Sequence, residues 1–234
     1  IIIHLPDSIT SIGSYCFNSC INLESINIPN GLTLIDQYTF NGCLNIPCIE
    51  LPDTVLSIGE GSFYKCCGLI SIKLPNQITT IPENCFNNCE NLVSVIIPDS
   101  VTIIGQSAFG CCYSLTSINI PDNCTFIGDL SFEFCNNLKS IDIPDGAQVE
   151  GCAFNRCFSL TSLKIPDNDK TTTMYFEELP KLTSLSIGKS INRMRFYQNI
   201  RSLTSINLSK ENPYYILQEG CIYKSDFSQL IFVL

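Results

Sequence analysis

A single spacing governs this chain. Prolines stand at Pro6, Pro29, Pro52, Pro75, Pro98, Pro121 and Pro144, each 23 residues from the last, and Pro166 follows after 22. Phe17, Phe40, Phe63, Phe86, Phe109, Phe132 and Phe154 keep the same beat, as do Cys20, Cys43, Cys66, Cys89, Cys112, Cys135 and Cys157. Three registers in phase are an internal repeat, and a short repeat of fixed period implies stacked coils instead of one closed globular core.

One unit, read from Cys112, runs through Leu115, Ile118, Ile120, Pro121, Cys124, Ile127, Gly128 and Phe132 to Cys135. Ile118 and Ile120 alternate with Ser117 and Asn119, the period of two that makes a short strand with one buried face. Pro121 ends that strand because it has no N–H to give to a ladder. Pro-Asp or Pro-Asn then turns the chain. A second, shorter extended piece follows at 126–128, and the segment closing each unit has room for only a helical or 3₁₀ turn with Phe and Cys aimed inward. The pattern predicts ten strands, at 3–5, 26–28, 49–51, 72–74, 95–97, 118–120, 141–143, 163–165, 185–187 and 206–208.

After Pro166 the pattern decays. Phe176 replaces the ladder Phe, Leu179 and Ile200 replace the ladder Cys, and Gly188 and Ser209 stand where Pro stood. The expected organisation is regular repeats over 1–166, degenerate repeats over 167–210 and a capping strand or hairpin over 211–234, where apolar residues alternate around Glu219-Gly220.

The unit Cys-x-x-Leu-x-x-Ile-x-Ile-Pro-x-x-Val-x-x-Ile-Gly-x-x-Ala-Phe-x-x-Cys resembles the BspA-like leucine-rich repeat family, and the copy from Leu92 to Cys112 matches it almost throughout. The closing Asn212, Pro213, Tyr214, Gly220, Cys221, Ile222 and Tyr223 are similar to the segment that follows such arrays. The resemblance implies an α/β, right-handed solenoid with one short parallel strand per repeat on its concave face, and extended and helical or 3₁₀ turns on the other sides. It also implies a role in adhesion or protein binding, with no catalytic residues. Asp36 and Pro82 depart from the turn Gly, and Pro47-Cys48 enters the third strand, so distortion is expected near 45–50.

Fifteen cysteines raise the possibilities of a thiol enzyme, a zinc site or a disulfide framework. Seven fall on one inward register, where Cys fills space as a small hydrophobe. Their odd total and common direction are unlike a secreted disulfide scaffold and favour a reducing, intracellular compartment. Cys16/Cys20, Cys85/Cys89, Cys66-Cys67 and Cys111-Cys112 have spacings a metal could use, yet each pair includes a ladder cysteine and no His-x-x-x-His accompanies them. A nucleophilic cysteine needs a base, and the one histidine, His4, sits at the first strand. No catalytic, cofactor or metal residue is therefore assigned; a thiol- or metal-dependent enzyme is the weakest reading.

A net charge of −9 argues against nucleic acid and anionic membrane surfaces as partners. No apolar run approaches the roughly 20 residues of a membrane helix. Residues 1–138 carry two basic and twelve acidic side chains, and residues 139–234 carry eleven and ten. The expected partner is a protein, possible within a larger assembly, met on the concave face by the outward positions Asn27, Glu50, Lys73, Ile96, Asn119, Asp142, Lys164 and Asn207, beside a column of serines. A basic group near the irregular end, Lys181, Lys189, Arg193, Arg195 and Arg201, is the second expected contact. The Asp and Asn that follow each Pro form an acidic ridge explained by turn chemistry, or else a contact for a basic partner or weak calcium. The functional reading is an intracellular interaction scaffold, with a cell-surface adhesin as the alternative.

Overall fold

The computed structural model describes residues 1–170 and 172–234. The chain winds as a β-solenoid whose coils stack through two ladders of short parallel strands. The first holds the serine column. Ile2–Ile3 pairs with Ser25–Ile26, Ser71–Lys73 with Ser94–Ile96, and Ser184–Ile187 lies between Ser162–Ile165 and Ser205–Leu208. The second takes the shorter extended pieces: Leu34–Ile35 with Ser57–Ile58, then Thr80–Ile81, Ile103–Ile104, Phe126–Ile127 and Gln148–Val149 in order, and Thr172–Phe176 with Ile191–Phe196. In the first ladder equivalent repeat positions stand side by side, Ser71 beside Ser94 and Ser162 beside Ser184 beside Ser205, as a repeat of near-constant length allows; the pairing of Thr172–Phe176 with Ile191–Phe196 shifts register once, between Thr172 and Thr173.

Three of the ten expected strands differ. Around 49–51 the ladder shrinks to a single bridge between Cys48 and Ser71, because Pro47 brings no N–H to it. At 118–120 and 141–143 Ile118, Ile120, Ile141 and Ile143 stay buried while their outward neighbours are exposed, yet no strand forms there. Side-chain packing holds these coils where the first ladder parts, and the second ladder runs past them unbroken.

The closing segment of each coil corrects a further expectation. Among the described residues there is no helix, so the fold stands as a β-solenoid of stacked parallel strands, and the expected helical or 3₁₀ turns and α/β label are not borne out. From 107 to 112 the backbone N–H groups alternate in direction. Ser107, Phe109 and Cys111 donate to Asp129, Ser131 and Glu133 of the next coil (2.9, 2.8 and 2.7 Å), whereas Ala108, Gly110 and Cys112 turn back to Gly105, Ser107 and Phe109 (3.3, 3.1 and 3.3 Å). A helix would spend every N–H inside its own segment. The alternation is made possible by left-handed residues four apart, Ser107 (φ 52°) and Cys111 (φ 57°), matched by Lys65 after Gly61 and by Phe134 after Leu130. Positive φ at such side chains costs roughly 1–2 kcal/mol apiece and interrupts any right-handed helix. Gly105 serves a different need: a Cβ there would lie 2.7 Å from the Glu83 amide nitrogen of the coil before.

Inside, the six Phe pairs from Phe17 to Phe154 stack with centroids 5.3–5.6 Å apart and planes within 12°. The column then reforms as Phe176, Phe196 and Phe232, with centroids 5.0 and 4.3 Å apart. Phe232 comes from a terminal antiparallel sheet of Tyr215–Gln218, Cys221–Lys224 and Leu230–Val233. Glu219 (φ 50°) and Gly220 (φ 75°) make its first turn, both left-handed as a tight hairpin of that hand requires. Buried Asn212 ties this sheet to the last coil: its amide donates to the carbonyls of Gly188 (2.9 Å) and Ile191 (3.3 Å), and its oxygen accepts the N–H groups of Tyr214 and Tyr215.

Phe86 is wholly buried between Phe63 and Phe109. Phe86→Ala is expected to lower unfolding stability by about 3–5 kcal/mol, measured by urea titration, because the rings on either side cannot close the gap without breaking register.

Candidate functional site

The cysteine register is a hydrogen-bonded column and not only a filler of space. Six of the seven ladder thiols, all but that of Cys20 in the first coil, donate to the carbonyl of the Phe one coil back: Cys43 to Phe17, Cys66 to Phe40, Cys89 to Phe63 and Cys157 to Phe132 at 3.1 Å, Cys112 to Phe86 at 3.2 Å and Cys135 to Phe109 at 3.3 Å. The same carbonyls accept the N–H of their own coil's cysteine, as Phe63 does from Cys66 at 3.1 Å. Burial pushes the ladder thiols up, Cys43 and Cys157 to about 12 and Cys66, Cys89, Cys112 and Cys135 upward as well, and it raises Cys85, buried outside the register, to about 12. A nucleophile or metal ligand must be a thiolate, and these groups are held as thiols. Among the described residues no three His, Cys, Asp or Glu side chains gather as a ligand set.

On the side of the coils that carries the first ladder, Asn27, Glu50, Lys73, Ile96, Asn119, Asp142, Lys164 and Asn207 are all exposed. They are not equally free. The Asn27 amide brackets Leu5, accepting its N–H (2.7 Å) and donating to its carbonyl (3.0 Å), and Lys164 Nζ lies 2.8 Å from Asp145. Between these ends lies an apolar group that sequence reasoning missed apart from Ile96. Pro47, Ile70 and Val93 stand in successive coils, joined by bonds from Ile70 N to Pro47 O (2.9 Å) and from Val93 N to Ile70 O (2.8 Å). Ile70 is 51% exposed, Val93 39% and Ile96 61%. The signal was present: the same register carries Glu24, Thr116, Lys139 and Thr161 in other coils.

The basic residues are not one patch. Lys181 and Arg201 precede the first-ladder strands, and Arg201 borders a hollow with Tyr197 and Phe232. Lys189 sits in the turn after the strand, 3.8 Å from both Asp169 and Glu211. Arg193 and Arg195 lie on the second ladder, facing a cleft shared with Lys224, which sequence reasoning did not select. The acidic ridge also works between coils: Asp53 accepts the backbone and amide N–H of Asn76 (3.2 and 3.1 Å), and Asp167 accepts the Lys189 N–H. Arg156 clamps three coils, donating to Glu133 (2.9 Å) and Glu177 (3.0 Å) above the Phe134 ring.

The sequence model for the BspA type leucine-rich repeat region matches in six copies, within residues 2–116, 57–171 and 102–227. The chain belongs to the BspA-type leucine-rich repeat family. Solved structures agree. A leucine-rich repeat protein from Bacteroides ovatus is 28% identical, with a TM-score of 0.77 over 90% of this chain and 61% of its own. A Treponema pallidum leucine-rich repeat protein is 31% identical, with a TM-score of 0.65 over 68% and 78%. A leucine-rich cell surface protein from Faecalibacterium prausnitzii is 26% identical, with a TM-score of 0.51 over 89% and 59%. The chain thus spans about three fifths of the Bacteroides ovatus protein. A search of curated protein sequences finds no match.

The raised thiols give this BspA-type repeat a pH signature. Folding keeps protons on the ladder cysteines that the unfolded chain releases near the ordinary thiol value of 9.0. Their contribution is therefore complete below that value and lost as pH rises through it toward 12, by about 1.4 kcal/mol per thiol per pH unit. Thermal unfolding from pH 7 to 10.5 is expected to show a level midpoint that then falls steeply, and Cys89→Ala is expected to flatten the fall while lowering stability at pH 7.

Proposed function

We propose that this chain is a non-catalytic protein-interaction module whose partner seats on the first-ladder face, which the family resemblance makes the concave one. The observation that carries the reading is the exposed apolar group of Ile70, Val93 and Ile96. Ile96 lies in a face otherwise lined by serine and by the polar outward positions Glu50, Lys73, Asn119 and Asp142, and Ile70 and Val93 stand exposed at the entry to the strands beside it. Apolar side chains gathered in the open and rimmed by polar ones are the usual mark of a contact surface. The regular coils of 1–166 act as a rigid arm, and the irregular coils of 167–210 with the cap of 211–234 supply a second contact. Lys181, Lys189 and Arg201 flank that contact from other sides of the coil. The buried thiols and the family's character support a role without catalysis.

The location has two readings. The exposed, unpaired Cys16 and Cys48 favour an intracellular scaffold, and the Faecalibacterium prausnitzii relative, described as a cell surface protein, favours an adhesin. Antibody labelling of intact and permeabilised cells separates them: signal only after permeabilisation supports the scaffold, and signal on intact cells supports the adhesin.

For the contact itself, Ile96→Glu and Val93→Glu are expected to leave stability within about 0.5 kcal/mol, as exposed substitutions do. They are expected to deplete at least tenfold the proteins cross-linked to the native full-length product, quantified by mass spectrometry. An unchanged cross-linked set would overturn the reading.

A further inference from the structure

The cleft between the last second-ladder strand and the terminal sheet is built unlike the rest of the molecule. Arg193 and Arg195 alternate along Ile191–Phe196, so both leave the same face while Met194 between them is buried. Lys224 ends the middle strand of the terminal sheet, directly across from Tyr215. The Tyr215 hydroxyl accepts the Met194 N–H (3.1 Å) and donates to the Asn192 carbonyl (3.3 Å). One tyrosine, on the strand that pairs with the lysine-bearing one, therefore ties the terminal sheet to the arginine-bearing strand. The remaining lining is Thr173, Asn192, Gln229 and Ile231, with no carboxylate among it. Among the described residues none of Arg193, Arg195 and Lys224 has a carboxylate within ion-pairing distance, although the chain as a whole carries −9.

Three like charges brought to one cleft repel one another, and an entering anion relieves that repulsion. We propose that this cleft binds an extended acidic segment of a partner protein, one with carboxylates at alternate positions. Two residues along a strand span roughly 7 Å, which separates Arg193 from Arg195 and equally separates alternate side chains of an extended ligand. Each guanidinium offers a planar fork that matches one carboxylate. Lys224 adds a third, less directional charge from the opposite wall, and Ile231 gives an apolar contact for the intervening side chain. The proposal rests on the reading of the chain as a binding module and names the chemistry of one partner segment.

The test is fluorescence anisotropy with the full chain and a labelled peptide, Ser-Glu-Thr-Glu-Thr-Glu-Ser, against the same peptide with Gln in place of Glu. Expected are saturable binding of the Glu peptide that weakens with added salt, and weaker binding of the Gln peptide. Arg193→Ala and Arg195→Ala should each cost about tenfold or more in affinity. Lys224→Ala should cost less, and Arg193→Lys should recover part of the loss because it keeps charge without the fork. Equal binding of the two peptides, or affinity indifferent to Arg193 and Arg195, overturns the assignment. So does a sulfated hexasaccharide that displaces the Glu peptide at lower concentration than unlabelled peptide does, since that makes the ligand a glycan. Ile96→Glu should leave peptide affinity unchanged. Loss of cross-linked partners with Ile96→Glu alone, or of peptide with Arg195→Ala alone, therefore reports which of the two surfaces has failed.

Discussion

No coil of this molecule can bury its own side chains, and every other feature follows from the need to borrow a neighbour. A unit of 23 residues has too little volume to enclose a Phe, so each ring is covered by the rings above and below it. The backbone obeys the same rule. Alternate N–H groups of the closing segment cross to the next coil, and each ladder cysteine beyond the first coil sends its thiol back to a Phe carbonyl. That carbonyl has two lone pairs and uses both, one for its own coil and one for the next. Registry between coils is thus set by side chain and main chain together. A shift of one residue would empty the Phe column, break the thiol column and turn every strand's buried face outward.

Much of this could be read beforehand because period is a property of sequence. The Phe, Cys and Pro spacings locate the columns, and the alternation of Ile with Ser or Asn locates the first ladder. What escaped reading depends on backbone geometry. Lys65, Leu130 and Phe134 are ordinary residues for a helix, yet they sit at positive φ because the neighbouring coil demands their N–H groups. Nothing in their identity announces that. The thiol bonds were hidden for a related reason: a sequence names the donor, and the acceptor is a carbonyl that any residue could supply. The spread of the basic residues has a third cause. Lys181 to Arg201 occupies nearly one full turn of the solenoid, so nearness along the chain puts Lys189 and Arg193 on different sides, while distant Lys224 arrives beside Arg193.

The cysteine content bears on location less than its abundance suggests. Thiols held protonated by burial and bound to carbonyls react slowly with oxidants, because the thiolate is the reactive form. The inward column would stay reduced in either compartment. Only the exposed Cys16 and Cys48 sample their surroundings freely. Free cysteine in the core is therefore compatible both with an interior scaffold and with the cell surface setting named for one relative.

Regularity and charge change together along the solenoid, and the two changes have one origin. Where coils repeat strictly, each outward position is duplicated at the coil spacing, so a column of cations would stack like charge on like charge; serine, threonine and asparagine tolerate that repetition. A cluster such as Arg193 and Arg195 needs its register unoccupied by cations in the coil before, and there Thr173 and Tyr175 stand opposite the two arginines. Arg156 shows the other solution, with carboxylates in the coils on both sides. Breaking the repeat near the terminal sheet removes the constraint of duplication, and the sheet's own strand can bring Lys224 to the arginines in a cleft lined by no carboxylate. A solenoid of this kind keeps its strict coils for length and its irregular end for concentrated charge.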